Sequence, residues 1–339
     1  MKKSLIALAV AGAFAAPAFA ATSNVDVYGQ IRFSIDTTDS DVVANEKWAI
    51  TDRVSRIGFK GSEDLGGGLK AVWQIEQQLN IDTADQAAGG ATVVSHSALR
   101  NTFVGLSGGF GTVLVGRHDT PYKLGGSADL FADTAADAQG SAGVIGYKTT
   151  GGLGFDVRAD NALAYISPTF SGFHFAAAVI PGEAGGTAAD GLMDAYSLVG
   201  VYENGPLKAT LAYEDHNDLV DEKAWKANVA YAMGDLKLGA TYEKQSDTGG
   251  TAGNDSKAWL VSAAYGMGPI TLMAQYGSRD HDGTAVGTSL DRFTVGAGYA
   301  LSKRTNVYAA YNMDESNAVG STSNNVDTDT FTMGLNHSF

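Results

Sequence analysis

The chain has 339 residues and no cysteine, with 37 acidic against 23 basic side chains and a net charge of −14 at neutral pH. Such an excess of carboxylates repels a phosphate backbone and excludes nucleic acid as a partner. Without cysteine, an exported fold has to be held by its core or its backbone ladder rather than by disulfides.

The stretch "MKKSLIALAVAGAFAAPAFA" comes first. Lys2 and Lys3, the apolar run from Leu5 to Ala16 and the triplet Ala18-Phe19-Ala20 form a secretory leader, with an apolar run too short to span a bilayer. Residues 1–20 are expected to be removed, leaving one domain over residues 21–339 with a net charge of −16. No later stretch reads as a transmembrane helix.

From Val25 onward the pattern is strict alternation, the signature of half-exposed strands. In "VDVYGQIRFSID", Val25, Val27, Ile31, Phe33 and Ile35 face one way, and Asp26, Tyr28, Gln30, Arg32 and Asp36 the other. The pattern recurs in "SRIGFKGSEDL", "LKAVWQIEQQL", "RNTFVGL", "GTVLVGRHD", "RADNALAYIS", "GFHFAAAVI", "YSLVGVYE" and "LKATLAYED". It continues in "AWKANVAYAM", "LKLGATYEK", "AWLVSAAYG", "ITLMAQYGS", "RFTVGAGYA", "TNVYAAYNM" and "DTFTMGLNHSF", making sixteen strands. Tight connections at 204–206, 234–235, 268–269 and 302–304 alternate with long polar ones, which describes an up-and-down antiparallel meander. No shift in composition marks a second domain.

The aromatic residues decide which face is apolar. Tyr213, Tyr242, Tyr276, Tyr311, Trp225 and Trp259 fall near the long-loop ends of their strands, and Tyr202, Tyr231, Tyr265 and Tyr299 near the short-turn ends. All lie on the apolar side. Two belts of Tyr and Trp flanking an apolar band are what a barrel in a bilayer carries, because amphipathic rings settle at headgroup level. The expected fold is therefore all-β, a sixteen-stranded antiparallel transmembrane barrel with its polar face lining an aqueous lumen. Phe339, at the short-turn belt, ends the strand that must pair with the first to close the cylinder.

"VDVYGQIR", "SRIGFKGSEDLGGGLKA", "FVGLSGGFGTVLVGR", "DTPY", "YISPTFSGF" and the terminal "GLNHSF" together resemble the general porins of Gram-negative outer membranes, most closely their β-proteobacterial branch. The resemblance covers nearly the whole chain after the leader. It implies a homotrimer of diffusion channels in the outer membrane, among lipid and lipopolysaccharide, passing ions and small hydrophilic solutes without a cofactor. It also implies that Phe339, the terminal aromatic, marks the last strand for the barrel-assembly machinery, and that the third long loop, here 118–156, folds into the lumen.

That loop carries Asp119, Asp129, Asp133 and Asp137. Facing it, Arg56, Arg100 and Arg158 each lie a short way into a strand returning from the long-loop end, and Arg32 and Lys60 also face the lumen. These nine residues are the expected pore constriction. Two readings of the arginines stay open together: a transverse field across the channel, and pairs with carboxylates that knit the wall. The "EDH" at 214–216 and the "DHD" at 280–282 read as solvated loop charge rather than a metal or acid–base site, and the aspartates lack calcium-loop spacing. His118 beside Asp119 is the one pair that a surface hydrolase could use; an adhesin is the other alternative, and it predicts no conductance.

Overall fold

In a computed structural model the described residues are 24–41, 43–82, 99–140, 142–149, 152–182, 191–217, 220–282, 288–318 and 326–339. The leader expected over residues 1–20 lies outside them. The strands are β1 (Asn24–Ser40), β2 (Val43–Asp52), β3 (Arg56–Gly66), β4 (Leu69–Gln78), β5 (Thr102–Gly108), β6 (Gly111–Asp119), β7 (Arg158–Ile166) and β8 (Phe173–Ile180). They continue as β9 (Ala195–Asn204), β10 (Leu207–Asp215), β11 (Lys223–Met233), β12 (Leu236–Ser246), β13 (Asp255–Met267), β14 (Ile270–Asp282), β15 (Thr288–Ala300), β16 (Thr305–Ala318) and β17 (Val326–Ser338). A one-turn helix, α1 (Pro121–Leu124), follows β6.

Among the described residues, seventeen strands occupy sixteen positions of one closed antiparallel barrel. β2 pairs with Phe33–Ser40 of β1 and β3 pairs with Asn24–Gln30, so the two lie end to end along one edge of β1. The register moves by one residue between them, from Phe33↔Asp52 to Gln30↔Arg56. A bulge at Arg53, Val54 and Ser55 takes up the extra residue, with Val54 at φ 62° and the ladder continued by an Arg53 N–H donating to the Arg32 carbonyl at 2.9 Å. Because side chains alternate with period two, one added residue reverses the faces. Trp48 and Ile50 point outward on even positions of β2, whereas Phe59 points outward on an odd position of β3.

The other edge of β1 closes the barrel against β17, from Gln30↔Ser338 to Ser40↔Thr328. Gly29 and Phe339 exchange backbone hydrogen bonds of 3.2 and 3.1 Å. The Phe339 ring lies so close over Gly29 that a Cβ there would sit 2.4 Å from its Cζ, so the position needs glycine.

Exposure alternates as the aromatic pattern requires. On β13, Trp259, Val261 and Tyr265 are exposed, while Ser256, Ala258, Leu260 and Ser262 are buried. Six residues separate Trp259 from Tyr265, about 20 Å along the strand. Tyr213 is opposite Trp225 and Tyr242 is opposite Trp259 in the ladder. The Trp225 and Tyr242 rings lie 5.2 Å apart, and those of Trp259 and Tyr276 5.3 Å apart. The inward face is not uniformly wet, however. Leu260, with Ala258 and Leu290, is buried beneath Val144 and Ile145 from the segment after β6.

Candidate functional site

The segment between β6 and β7 is held against one half of the inner wall. It begins where Thr120 caps α1, accepting from the Lys123 N–H at 3.3 Å, with Pro121 in the first turn. Tyr122 is then fully buried: its N–H donates to Ser197 Oγ at 2.8 Å and its hydroxyl to Glu243 Oε2 at 2.7 Å. Burial and the Glu243 carboxylate push its phenol well above the usual range. Further along, Ala128 N–H donates to Thr241 Oγ1 (2.7 Å) and Leu130 N–H to Gln275 Oε1 (2.9 Å). Arg292 donates to the Asp137 carbonyl and Arg279 to the Gly143 carbonyl.

The return stretch is anchored by buried charge. Glu243 Oε1 accepts from Gly146 N–H at 2.9 Å. Glu222 accepts from Leu153, Gly154 and Gly249 N–H groups at 2.8, 3.0 and 3.0 Å. Lys226 Nζ lies 2.5 Å from Asp156 Oδ1 and 4.4 Å from the Tyr122 ring centre. These partners come from β9 to β15. The segment therefore backs onto that half of the barrel, and open space remains beside the other half. A cavity of about 430 Å³ there is lined by Asp26, Lys60, Gln74, Phe103, Thr112 and His118.

Arginines stand at matched levels along this second half. Arg56 and Arg100 flank β4: Arg56 is opposite Gln78, and the Arg100 N–H donates to the Glu76 carbonyl at 2.8 Å. Arg158 is opposite Asp119 on β6. Arg100 points inward although it shares parity with the outward Val104, because the chain bends at Asn101 before β5 begins. Each arginine has a carboxylate. Arg32 Nη1 is 2.7 Å from Asp133 Oδ2 and Arg56 Nη1 is 3.7 Å from the same oxygen. Arg100 pairs with Glu76 at 2.7 Å, and Arg158 with Asp119 at 2.8 Å. Asn101 ties the last pair, accepting from Arg158 Nε at 2.7 Å and donating to Asp119 Oδ2 at 2.9 Å.

The nine expected residues thus divide. Arg32, Arg56 and Asp133 meet where the inward segment crosses to β1 and β3. Arg100, Arg158 and Asp119 form wall pairs, with Asp119 belonging to β6 rather than to the loop. Lys60 sits four residues beyond Arg56, about 13 Å along the strand, over the Tyr28 ring at 5.2 Å. Asp129 and Asp137 do not face the arginines, a correction to the sequence expectation. Both are consumed by turns: Asp129 accepts from Phe131 N–H at 3.0 Å, and Asp137 from Asp133 and Gln139 N–H groups, each at 2.7 Å. Burial and the neighbouring Asp129 push the Asp137 carboxyl up to about 8.

The "EDH" triplet is corrected too. His216 is buried, with Nε2 2.9 Å from Glu214, Nδ1 3.0 Å from Glu222 and its ring stacked on Phe155. Burial opposes its charge, but the two glutamates outweigh it and hold the imidazole up to about 9. In "DHD", His281 is buried against Asn254 (2.9 Å) while the flanking aspartates are exposed. His118 meets the carbonyl of Asp119, not its carboxylate, so the two make no acid–base pair. Among the described residues no cluster is arranged to hold a metal ion. Glu76, Asn101, Lys226, Arg279 and Arg292 were not singled out from the sequence. Each is an ordinary polar residue in the sequence, and its partner, whether on a neighbouring strand as for Glu76 or in the inward segment as for Lys226, is set only by the fold.

A family model described as Gram-negative porin matches residues 7–319. Outer membrane porin protein 32 of Delftia acidovorans is 33% identical over 253 residues, 71% of this chain and 66% of that protein. Major outer membrane protein P.IB of Neisseria meningitidis is 41% identical over 147 residues, 41% of this chain and 40% of that protein. The matched stretches thus span about two-fifths to just under two-thirds of these relatives. Among solved structures, an anion-selective porin from Comamonas acidovorans superposes with TM-score 0.76 at 24% identity, over 94% of this chain and 100% of that one. The loop L8 deletion mutant of OmpT, from Vibrio cholerae, gives 0.70 at 17% identity, over 94% and 99%.

Proposed function

The chain belongs to the Gram-negative porin family, and from that premise we propose that it forms a water-filled outer-membrane channel for passive diffusion of ions and small hydrophilic solutes. The observation that carries this reading is the asymmetric filling of the lumen. The inward segment is clamped to β9–β15, and the passage runs beside the arginine wall with Asp133 set between Arg32 and Arg56. Solutes are sieved by the gap and by its field. Four arginines face three carboxylates at this level, since Asp129 and Asp137 are turned into the loop. The passage therefore favours anions modestly, the property named for the solved Comamonas protein.

The leader is cleaved after Ala20, and the barrel works as a homotrimer among outer-membrane lipid and lipopolysaccharide. One solved relative, OmpT of Vibrio cholerae, is described in a trimer form. Phe339 presents the last strand to the barrel-assembly machinery. Single-channel recording in a planar bilayer tests the reading: ohmic steps in groups of three are expected, and purified folded protein without conductance would overturn it.

A further inference from the structure

The acid that meets Arg32 and Arg56 does not hold its own position. Asp133 is a non-glycine residue at φ 58°, in the left-handed region that L side chains adopt only when their surroundings require it. Its carboxylate is about a third exposed. Arg32 Nη2 also donates to the carbonyl of the preceding Ala132 at 3.1 Å, and two further supports, on either side in the chain, come from β15 and β16.

Before Asp133, Phe131 is buried against β15 and β16, packing with Ala310 and over Gly296, where a Cβ would lie 2.6 Å from the ring. After it, Asp137 Oδ2 accepts the Asp133 N–H at 2.7 Å, and the Asp137 carbonyl accepts from Arg292 Nη1. Arg292 is itself buried on β15 and locked by a two-pronged pair with Asp314 on β16, both contacts 2.7 Å. A continuous chain of contacts runs from Asp314 through Arg292 and the Asp137 turn to Asp133, and from there to Arg32 on β1, which β17 alone separates from β16 in the strand order, and to Arg56 on β3.

We propose that Arg292 and Asp314 are positioning residues for the channel's charge selectivity, setting through the inward segment how closely Asp133 approaches Arg32 and Arg56. Neither residue needs to meet the permeating ion. With the relay intact, Asp133 offsets part of the positive field of the two arginines. With it loosened, Asp133 leaves them and the passage becomes more anion-preferring, although the formal charge is unchanged. The proposal rests on the channel reading above.

The test uses charge-conserving variants, so that a change in net charge cannot mimic the effect. In Arg292→Lys an ammonium cannot hold the fork to Asp314 and also reach the Asp137 carbonyl. Asp314→Glu moves the same carboxylate by one methylene and serves as the second variant should the first assemble poorly. Zero-current potentials across a KCl gradient near 0.1 M are compared with those of the full-length wild type and of Asp133→Asn. Either positioning variant should raise the chloride-to-potassium permeability ratio, by up to the rise that Asp133→Asn gives. Combined with Asp133→Asn, it should add nothing further. If Asp133→Asn shifts the potential but the positioning variants leave it unchanged, or add independently to it, the relay is refuted and the constriction stands. If Asp133→Asn itself leaves the potential of a conducting channel unchanged, the constriction reading falls and the relay with it.

Discussion

Replacing Lys226 by Met should release the inward segment without unfolding the barrel. Lys226 and Asp156 are both fully buried and 2.5 Å apart. Removing one partner of such a pair costs roughly 3–5 kcal/mol, because the other charge is left without compensation in a dry site. At about 1.4 kcal/mol per factor of ten, the ratio of detached to docked segment rises roughly 100- to 5,000-fold. The β10–β11 and β11–β12 ladders use backbone groups that the substitution does not touch. The defect should therefore be local, seen in single-channel records as flicker between the wild-type level and larger openings. Replacing the pair together, Lys226→Met with Asp156→Leu, should restore much of the quiet baseline, since an apolar substitute for a buried ion pair is often neutral. A Lys226→Met channel as quiet as wild type would refute the claim that this pair docks the segment.

His216 gives the anchor an alkaline limit. Its imidazole is faced by Glu214 from β10, by Glu222 just before β11 and by the Phe155 ring. Its folded pKa is raised to about 9, so its contribution is full below the unfolded value of about 6.5 and is lost as the pH rises through 9. Current noise should grow above that pH in wild type, and in His216→Gln it should already be high at pH 7; noise flat to pH 10 in wild type would count against the anchor. Deleting Phe339 removes one partly exposed ring, worth a few kcal/mol at most. Folded protein should therefore reach the membrane more slowly, while barrels that do form keep near-normal heat resistance. Equal folded yields for deletion and wild type would rule out the assembly role.

Period-two alternation was enough to place the strands from β4 to β17 and to assign their outward faces, because each strand has one face in lipid. It failed at β2. "VANEKWAITD" continues the same barrel position as "RIGFKGSEDLG", but the bulge at 53–55 reverses the parity, so no single pattern runs through both. The basic residues of the wall were readable because each sits within a recognisable stretch, Arg32, Arg56, Lys60 and Arg158 on a polar face, whereas Arg100 reaches the lumen through the bend at Asn101. Their partners were not. Whether an aspartate in a loop faces an arginine or closes a turn depends on backbone dihedrals, and these separate Asp133 from Asp129 and Asp137. The docking site on β9–β15 is built from single inward polar residues such as Lys226, Thr241, Gln275 and Arg292. The folded loop completes their partners, beside the wall contacts that Thr241 makes with Asn228 and Arg292 with Asp314.

The central claim is that ions pass along the arginine wall of β1–β7, beside the cluster that Asp133 forms with Arg32 and Arg56. Two unit charges about 10 Å apart interact by roughly 0.4 kcal/mol in bulk water and about 1.7 kcal/mol at an effective dielectric of 20. Screening at 0.1 M salt, where the Debye length is also about 10 Å, reduces these to about 0.15 and 0.6 kcal/mol. Because a fixed charge acts with opposite sign on chloride and potassium, one unit of charge should then change their permeability ratio about 1.7- to eightfold. The deciding measurement is the zero-current potential of Arg100→Gln and Asp133→Asn channels across KCl gradients centred on 0.1 M and on 1 M. The account predicts a shift toward cations for Arg100→Gln and toward anions for Asp133→Asn in dilute salt, both nearly abolished at 1 M, where the Debye length is about 3 Å. Unchanged potentials in dilute salt with conductance intact, or shifts that persist undiminished at 1 M, would contradict it.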